Sequence, residues 1–158
     1  MKHQINIIIN GKRKTLKIDP SEMLLDVLRR EGYKGIKRGC NEGTCGACVV
    51  ILNGRAVKSC IIFAAQAHEC EITTIEGIGT KEKPHPIQES FVEENVVQCG
   101  FCIPGMILST KALLDKNPKP TRDEIKFALD GNLCRCTGYR GQIEAVLKAA
   151  ERIRGRKK

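Results

Sequence analysis

An α+β fold is predicted by three features of this 158-residue sequence. Strand-like alternation and two Asn-Gly turns occupy the first half. Glycine, proline and charge crowd into residues 77–86. After them the apolar period becomes helical and stays so to the C-terminus.

Residues 3–9 alternate, with Ile5, Ile7 and Ile9 on one face, and Asn10–Gly11 then marks a tight hairpin turn. Leu16 and Ile18 resume the alternation on a second strand, and Asp19–Pro20–Ser21 ends it with residues able to cap a helix. Met23, Leu24, Val27 and Leu28 fall at helical spacing up to Gly32, a C-terminal cap. Residues 33–48 hold Gly35, Gly39, Gly43 and Gly46 among three cysteines, a loop that must bend sharply and often. Val49–Leu52 reads as a short buried strand, Asn53–Gly54 as a second hairpin turn, Val57–Ile62 as the return strand and Glu71–Ile75 as the last strand. Two hairpins and a helix predict a small mixed sheet with one helix across it. Residues 77–86 read as a linker. Helices are expected over Ile87–Val97, Met106–Leu114 and Ile143–Ile153, with another over Ile125–Leu129 behind a Thr121/Glu124 capping box. The domains are thus 1–76 and 87–158, the second ending in a basic tail.

A chain this short buries a modest core, the more so with 4% aromatic residues and no Trp, and metal centres often stabilise such domains. Nine cysteines is an odd number, so intrachain disulfides alone would leave one over. The N-terminus has no run of seven apolar residues, and no stretch reaches the ~20 residues of a membrane-spanning helix. A cytoplasmic protein is expected, and there clustered cysteines signal metal or redox chemistry. The net charge of +9 raises nucleic acid as a partner, but residues 148–158 alone carry six bases and one acid. With no aromatic interleaving and no reader motif, that charge is better read as a solvated helix end than as a nucleic-acid surface.

Cys40, Cys45 and Cys48 stand in C-x4-C-x2-C spacing, with Cys60 on the following strand. This is the plant-type [2Fe–2S] ferredoxin spacing. Two irons bridged by two sulfides need four thiolates; a loop supplies three and a neighbouring strand the fourth. The glycines let the backbone pass close to the sulfides and turn its N–H groups toward them, which tunes the potential. Zinc prefers short C-x2-C knuckles to such a loop. The second set, Cys99 and Cys102 with Cys134 and Cys136, pairs C-x2-C with C-x-C. Spacing alone leaves zinc and iron–sulfur equally open; the first site favours a second redox centre, since two in series make a wire. Both pairs precede helices, whose N-termini would bring partial positive charge to an anionic cluster. Cys70 lies outside both patterns and reads as a small structural residue.

GCNEGTCGACVV, VKSC, QCGFCIPGM and GNLCRCTGYRG, in this order, resemble the iron–sulfur subunit of the molybdenum hydroxylases, the xanthine dehydrogenase and aldehyde oxidoreductase family, which includes aerobic-type carbon monoxide dehydrogenase and 4-hydroxybenzoyl-CoA reductase. The resemblance covers residues 3–150. It implies a ferredoxin-like β-grasp domain followed by a four-helix bundle, with a [2Fe–2S] cluster on each cysteine set. It also implies a circuit: electrons pass from a molybdenum–pterin site on a large partner to the helical-domain cluster, then to the ferredoxin-like cluster, then to FAD on a medium partner. Gln98 and Cys136 match residues that lie against the pterin, where the Gln98 amide could hydrogen-bond its edge; the bland role for Gln98 is a polar contact at a helix end. Val49, Ile103 and Ile36 stand where the family commonly has Thr, and none is a ligand. The chain ends with the bundle, so a separate small subunit of a heterotrimer is expected, conducting electrons with no catalytic residue of its own.

The implied complex is xanthine dehydrogenase-like, with purine, aldehyde, N-heterocycle, carbon monoxide and aromatic acyl-CoA all compatible as substrates. The alternatives are a free two-cluster ferredoxin and a zinc-binding structural protein. His3, His68 and His85 share no ligand spacing and read as structural or surface residues. Arg135 either offsets cluster charge or faces solvent, and neither Glu42 nor Glu89 has a partner suited to acid–base catalysis.

Overall fold

The computed structural model describes residues 3–156; Lys157 and Lys158, the end of the predicted basic tail, lie outside them. The strands are β1 His3–Ile9, β2 Lys12–Ile18, β3 Val49–Leu52, β4 Arg55–Lys58 and β5 Glu71–Thr73, in the sheet order β2-β1-β5-β3-β4. β1 and β5 are parallel; the other neighbours are antiparallel. Both Asn-Gly hairpins form as read, with Asn10, Gly11, Asn53 and Gly54 all at positive φ, which a two-residue turn of matching twist requires.

Helix α1, Leu24–Arg30, covers one face of the sheet: Leu24, Leu25, Val27 and Leu28 share a core with Ile5, Ile7, Ile9, Ile18, Val50 and Ile72. It begins later than the sequence predicts and carries no side-chain cap. Asp19 instead closes a turn with Ser21, and the helix entrance is fixed by the backbone: Leu24 N–H donates to the Ile62 carbonyl (2.8 Å) beside a Met23/Phe63 bridge. Its end agrees with the reading. Gly32 takes φ +97°, its N–H donates to Arg29 O and Tyr33 N–H to Leu28 O, a Schellman closure.

Four helices follow: α2 Pro86–Glu93, α3 Ile103–Lys116, α4 Arg122–Leu129 and α5 Arg140–Gly155. They pack around Ile87, Phe91, Met106, Ile125, Leu129 and Val146. α2 is shorter than predicted because Asn95 at φ +53° turns the chain out, with Val96 N–H donating to Phe91 O. His85 caps it: Nδ1 accepts from Ile87 N–H (3.2 Å), and the Gln88 amide oxygen accepts from His85 N–H (2.8 Å). The Thr121/Glu124 capping box of α4 forms in both directions. α3 and α5 extend past their predicted limits, to the edges of the cysteine loops.

β3 shows how the two halves meet. Val50 points into the core under α1, while Val49 and Ile51 pack on Leu108 and Ala112 of α3. A strand buried on both faces needs an unbroken apolar run, and Val49–Leu52 is one.

Candidate metal centres

Cys60 departs from the sequence reading. It sits in a short 3-10 turn, Ser59–Ile61, not on a strand, because β4 ends at Lys58. Ser59 causes the break. Its N–H and hydroxyl both donate to the Cys48 carbonyl (3.3 and 2.7 Å), which closes the ladder and swings Cys60 toward the loop. The Cys60 and Cys48 thiols meet there in a buried pair.

The loop itself wraps Cys40. Glu42 N–H and Cys45 N–H point at its sulfur from 3.5 and 3.4 Å. Asn41, Gly43 and Gly46 reach this curvature at positive φ. The Thr44 hydroxyl and those two N–H groups hold the Cys40 thiol down at about 5, so it is a ready thiolate. Burial, then the Cys48 thiol, pushes Cys60 up to about 11. Gly39 lies so close to Cys45 that a methyl group there would stand 2.5 Å from its sulfur. Backbone thus approaches cysteine sulfur at two points of this loop.

The second set also forms two pairs. The Cys99 and Cys136 sulfurs are 3.7 Å apart and exposed, while Cys102, the residue before α3, meets Cys134. Burial, then Cys134, pushes Cys102 up to about 12. Cys134 is brought below the usual thiol range against the effect of its own burial, by the Thr137 hydroxyl (3.0 Å) and the Cys136 and Thr137 N–H groups. Cys102 adjoins a helix N-terminus as expected. Cys134 and Cys136 lie in the loop ahead of α5, which begins at Arg140 after Tyr139 at φ +68°. Tyr139 organises that loop, its hydroxyl accepting from Cys134 N–H (2.7 Å) and donating to Asn132 O (3.1 Å).

The thiols come as neighbouring pairs, Cys40 with Cys45 and Cys48 with Cys60 in the first set, Cys99 with Cys136 and Cys102 with Cys134 in the second, which suits a binuclear cluster with two thiolates per iron better than a single metal ion. The sets also touch through backbone. Leu133 N–H donates to the Cys45 carbonyl at 2.9 Å, and Leu133 precedes Cys134.

Residues 7–73 match the family described as a 2Fe-2S iron-sulfur cluster binding domain, and residues 74–147 the one described as a [2Fe-2S] binding domain. The nicotinate dehydrogenase small FeS subunit of Eubacterium barkeri is 51% identical over 149 residues, 94% of this chain and 95% of its own length. This chain belongs to the iron–sulfur subunits of the molybdenum hydroxylases.

Other molybdenum hydroxylases carry the same unit within a longer chain. The aldehyde oxidoreductase of Megalodesulfovibrio gigas is 45% identical across 96% of this chain, which corresponds to 17% of that protein. In the crystal structure of quinoline 2-oxidoreductase from Pseudomonas putida 86, a 40% identical chain superposes with a TM-score of 0.92, covering 98% of this chain and 97% of that one. As the iron–sulfur subunit of an oxidoreductase, this chain transfers electrons.

The remaining singled-out residues have plain roles. Val49 and Ile36 are buried in the cores and Ile103 packs against one, so these departures from the family's Thr are packing choices. His68 Nδ1 accepts from Asn6 N–H, and His85 is the α2 cap. Arg135 is exposed. Glu89 pairs with Arg152 and Arg156, and Glu42 accepts from the Thr44 hydroxyl. Cys70 is half-buried, donates weakly to Gln66 O and accepts from the Asn53 amide, apart from both sets. Gln98, next to Cys99 in the chain, is exposed, as are Val97 and Phe101 on either side. Asn132, Thr137 and Gln142 escaped notice in the sequence. They differ in no way from surface polar residues until the fold buries Asn132 and Gln142. Among the described residues no helix is long and apolar enough to cross a membrane.

Proposed function

We propose that Cys40, Cys45, Cys48 and Cys60 ligate one [2Fe–2S] cluster and Cys99, Cys102, Cys134 and Cys136 a second. In this reading the chain carries electrons from a molybdenum–pterin centre on a large subunit to FAD on a medium one, the helical-domain site first. The clusters supply one-electron acceptance; the chain's residues hold them, insulate them and set their spacing. Residues 1–76 and 87–158 are the two cluster-binding units, joined by 77–86, the second unit a four-helix bundle, in a cytoplasmic complex. The observation that carries the reading is the contact between the two thiol sets at Leu133 and Cys45.

The exposed pair Cys99 and Cys136 marks the entry side. Val97 and Phe101 flank Cys99 in sequence and Leu133 precedes Cys134; all three are exposed, an apolar rim that a free carrier would leave wet and a large subunit would cover. Gln98 and Cys136 on this rim contact the pterin.

For the substrate, the reading moves from a xanthine dehydrogenase-like enzyme to the wider class of nitrogen heteroaromatics, of which purines are one. The half-identical relative is named for nicotinate and the structural neighbour for quinoline, both six-membered nitrogen rings. Purifying the native complex through this chain tests the assembly: about one molybdenum and one FAD per chain are expected. Anaerobic addition of nicotinate, quinoline, xanthine or an aldehyde then tests the class, by bleaching of the cluster absorbance. Bleaching by an aldehyde alone would overturn the substrate class, and a complex with neither molybdenum nor flavin would leave a free carrier.

A further inference from the structure

One polar side chain lies at the seam between the two thiol sets and does not touch a sulfur. Asn132 is 3% exposed. Its amide nitrogen donates to the Ser109 hydroxyl of α3 at 2.8 Å, a buried bond. Its amide oxygen has no hydrogen-bond partner. That oxygen faces two glycines of different origin: Gly46, between Cys45 and Cys48, and Gly105, in the first turn of α3 behind Cys102. A methyl group on either would stand 2.9 Å from Asn132 Oδ1, and one on Gly46 would also meet the Gly131 carbonyl and Asn132 Cα, so backbone and side chain close the seam together. The two glycines also exclude each other, since a methyl group on Gly105 would collide with the Gly46 carbonyl. Three segments, each carrying thiols, therefore close onto one amide.

The backbone of Asn132 is equally constrained. Its N–H donates to Leu129 O, and its carbonyl accepts from Tyr139, whose hydroxyl in turn accepts from Cys134 N–H. The next residue, Leu133, donates the hydrogen bond to the Cys45 carbonyl. Burying an amide with one acceptor unpaired is unfavourable, and a site that retains one calls for a reason beyond packing.

We infer that Asn132 is a positioning residue for electron transfer between the two clusters. Its side chain fills the seam where the Gly46 loop meets the first turn of α3 and anchors the 131–133 backbone to α3 through Ser109, which holds Leu133 N–H against the Cys45 carbonyl. The inference rests on the assignment of the two thiol sets as [2Fe–2S] ligands. Shortening the side chain leaves every thiol in place but removes the anchor to Ser109, so the two sites keep their irons while the Leu133–Cys45 contact between them loosens. Ser109 acts through Asn132, holding the amide in its rotamer.

The test uses the reduced native complex with Asn132→Ala and Ser109→Ala. Two readouts are needed: the spin–spin splitting between the two reduced clusters in electron paramagnetic resonance, and hydrogen exchange at the Leu133 amide. For Asn132→Ala the expected result is full iron and sulfide, altered or lost splitting, and Leu133 exchange faster by roughly tenfold, about the worth of one net hydrogen bond. Ser109→Ala should shift both readouts in the same direction by less. A role in stability alone would lower the melting temperature and leave the splitting unchanged. Wild-type splitting and Leu133 protection in an iron-replete Asn132→Ala overturn the inference; should that variant lose iron, an unchanged splitting in iron-replete Ser109→Ala does so instead. A wild-type complex without two distinct cluster signals would instead overturn the ligand assignment beneath it.

Discussion

At the scale of single residues, the sites depend on small groups placed close to sulfur. Gly39→Ala would force a methyl group against the Cys45 sulfur. The expected result is loss of the first site with the second retained, read as iron falling from four to two per chain. Cys70→Ser is the matching control: its thiol touches only Gln66 and Asn53, and iron should stay at four. His85 gives a pH dependence. Burial, then the charge of Lys111, holds its imidazole below the ordinary value of 6.5, and the neutral Nδ1 is the acceptor for Ile87 N–H. The unfolded chain therefore binds the proton more readily than the folded one. Stability from this cap is complete above pH 6.5 and is lost as the pH falls below it through the folded value. Exchange at the Ile87 amide, corrected for its intrinsic rate, should accelerate over that interval in the wild type and stay level in His85→Asn, whose side chain caps without titrating.

At the scale of elements, local chemistry decides most boundaries. Thr121→Ala should cost about 1 kcal/mol in denaturant unfolding, because it removes the acceptor for Glu124 N–H at the start of α4. That box was legible in the sequence, as were both Asn-Gly turns and the Gly32 stop, since each is written within four residues. The misread elements depend on distant partners. α1 starts at Leu24 because of a backbone bond to Ile62. β4 ends at Lys58 because Ser59 bonds to Cys48, the residue just ahead of the neighbouring strand. β5 ends at Thr73 because the Asn10 side chain exchanges two hydrogen bonds of 2.9 Å with Thr74, 64 residues away. The thiol sets were legible because ligand spacing is local. Asn132 was not, because its meaning comes from Gly46 and Gly105.

At the scale of the whole molecule, the two halves are joined through packed side chains. Leu108 of α3 is 1% exposed between Val49 and Ile51 of the sheet, so one side chain belongs to both halves. Leu108→Ala should cost ~2–5 kcal/mol, and sheet and helices should lose stability together in a single transition. Two independent transitions would mean that the halves fold separately. α2 and α5 are also tied by Glu93 to Lys148 and Arg152, exposed pairs that high salt should weaken with little loss of stability. This joint core is what a conductor needs, because the distance between two centres must not fluctuate. The most direct test of the account is the iron and acid-labile sulfide content of the purified native protein, with zinc measured alongside. Four irons and four sulfides per chain are predicted; zinc without sulfide would contradict the central claim.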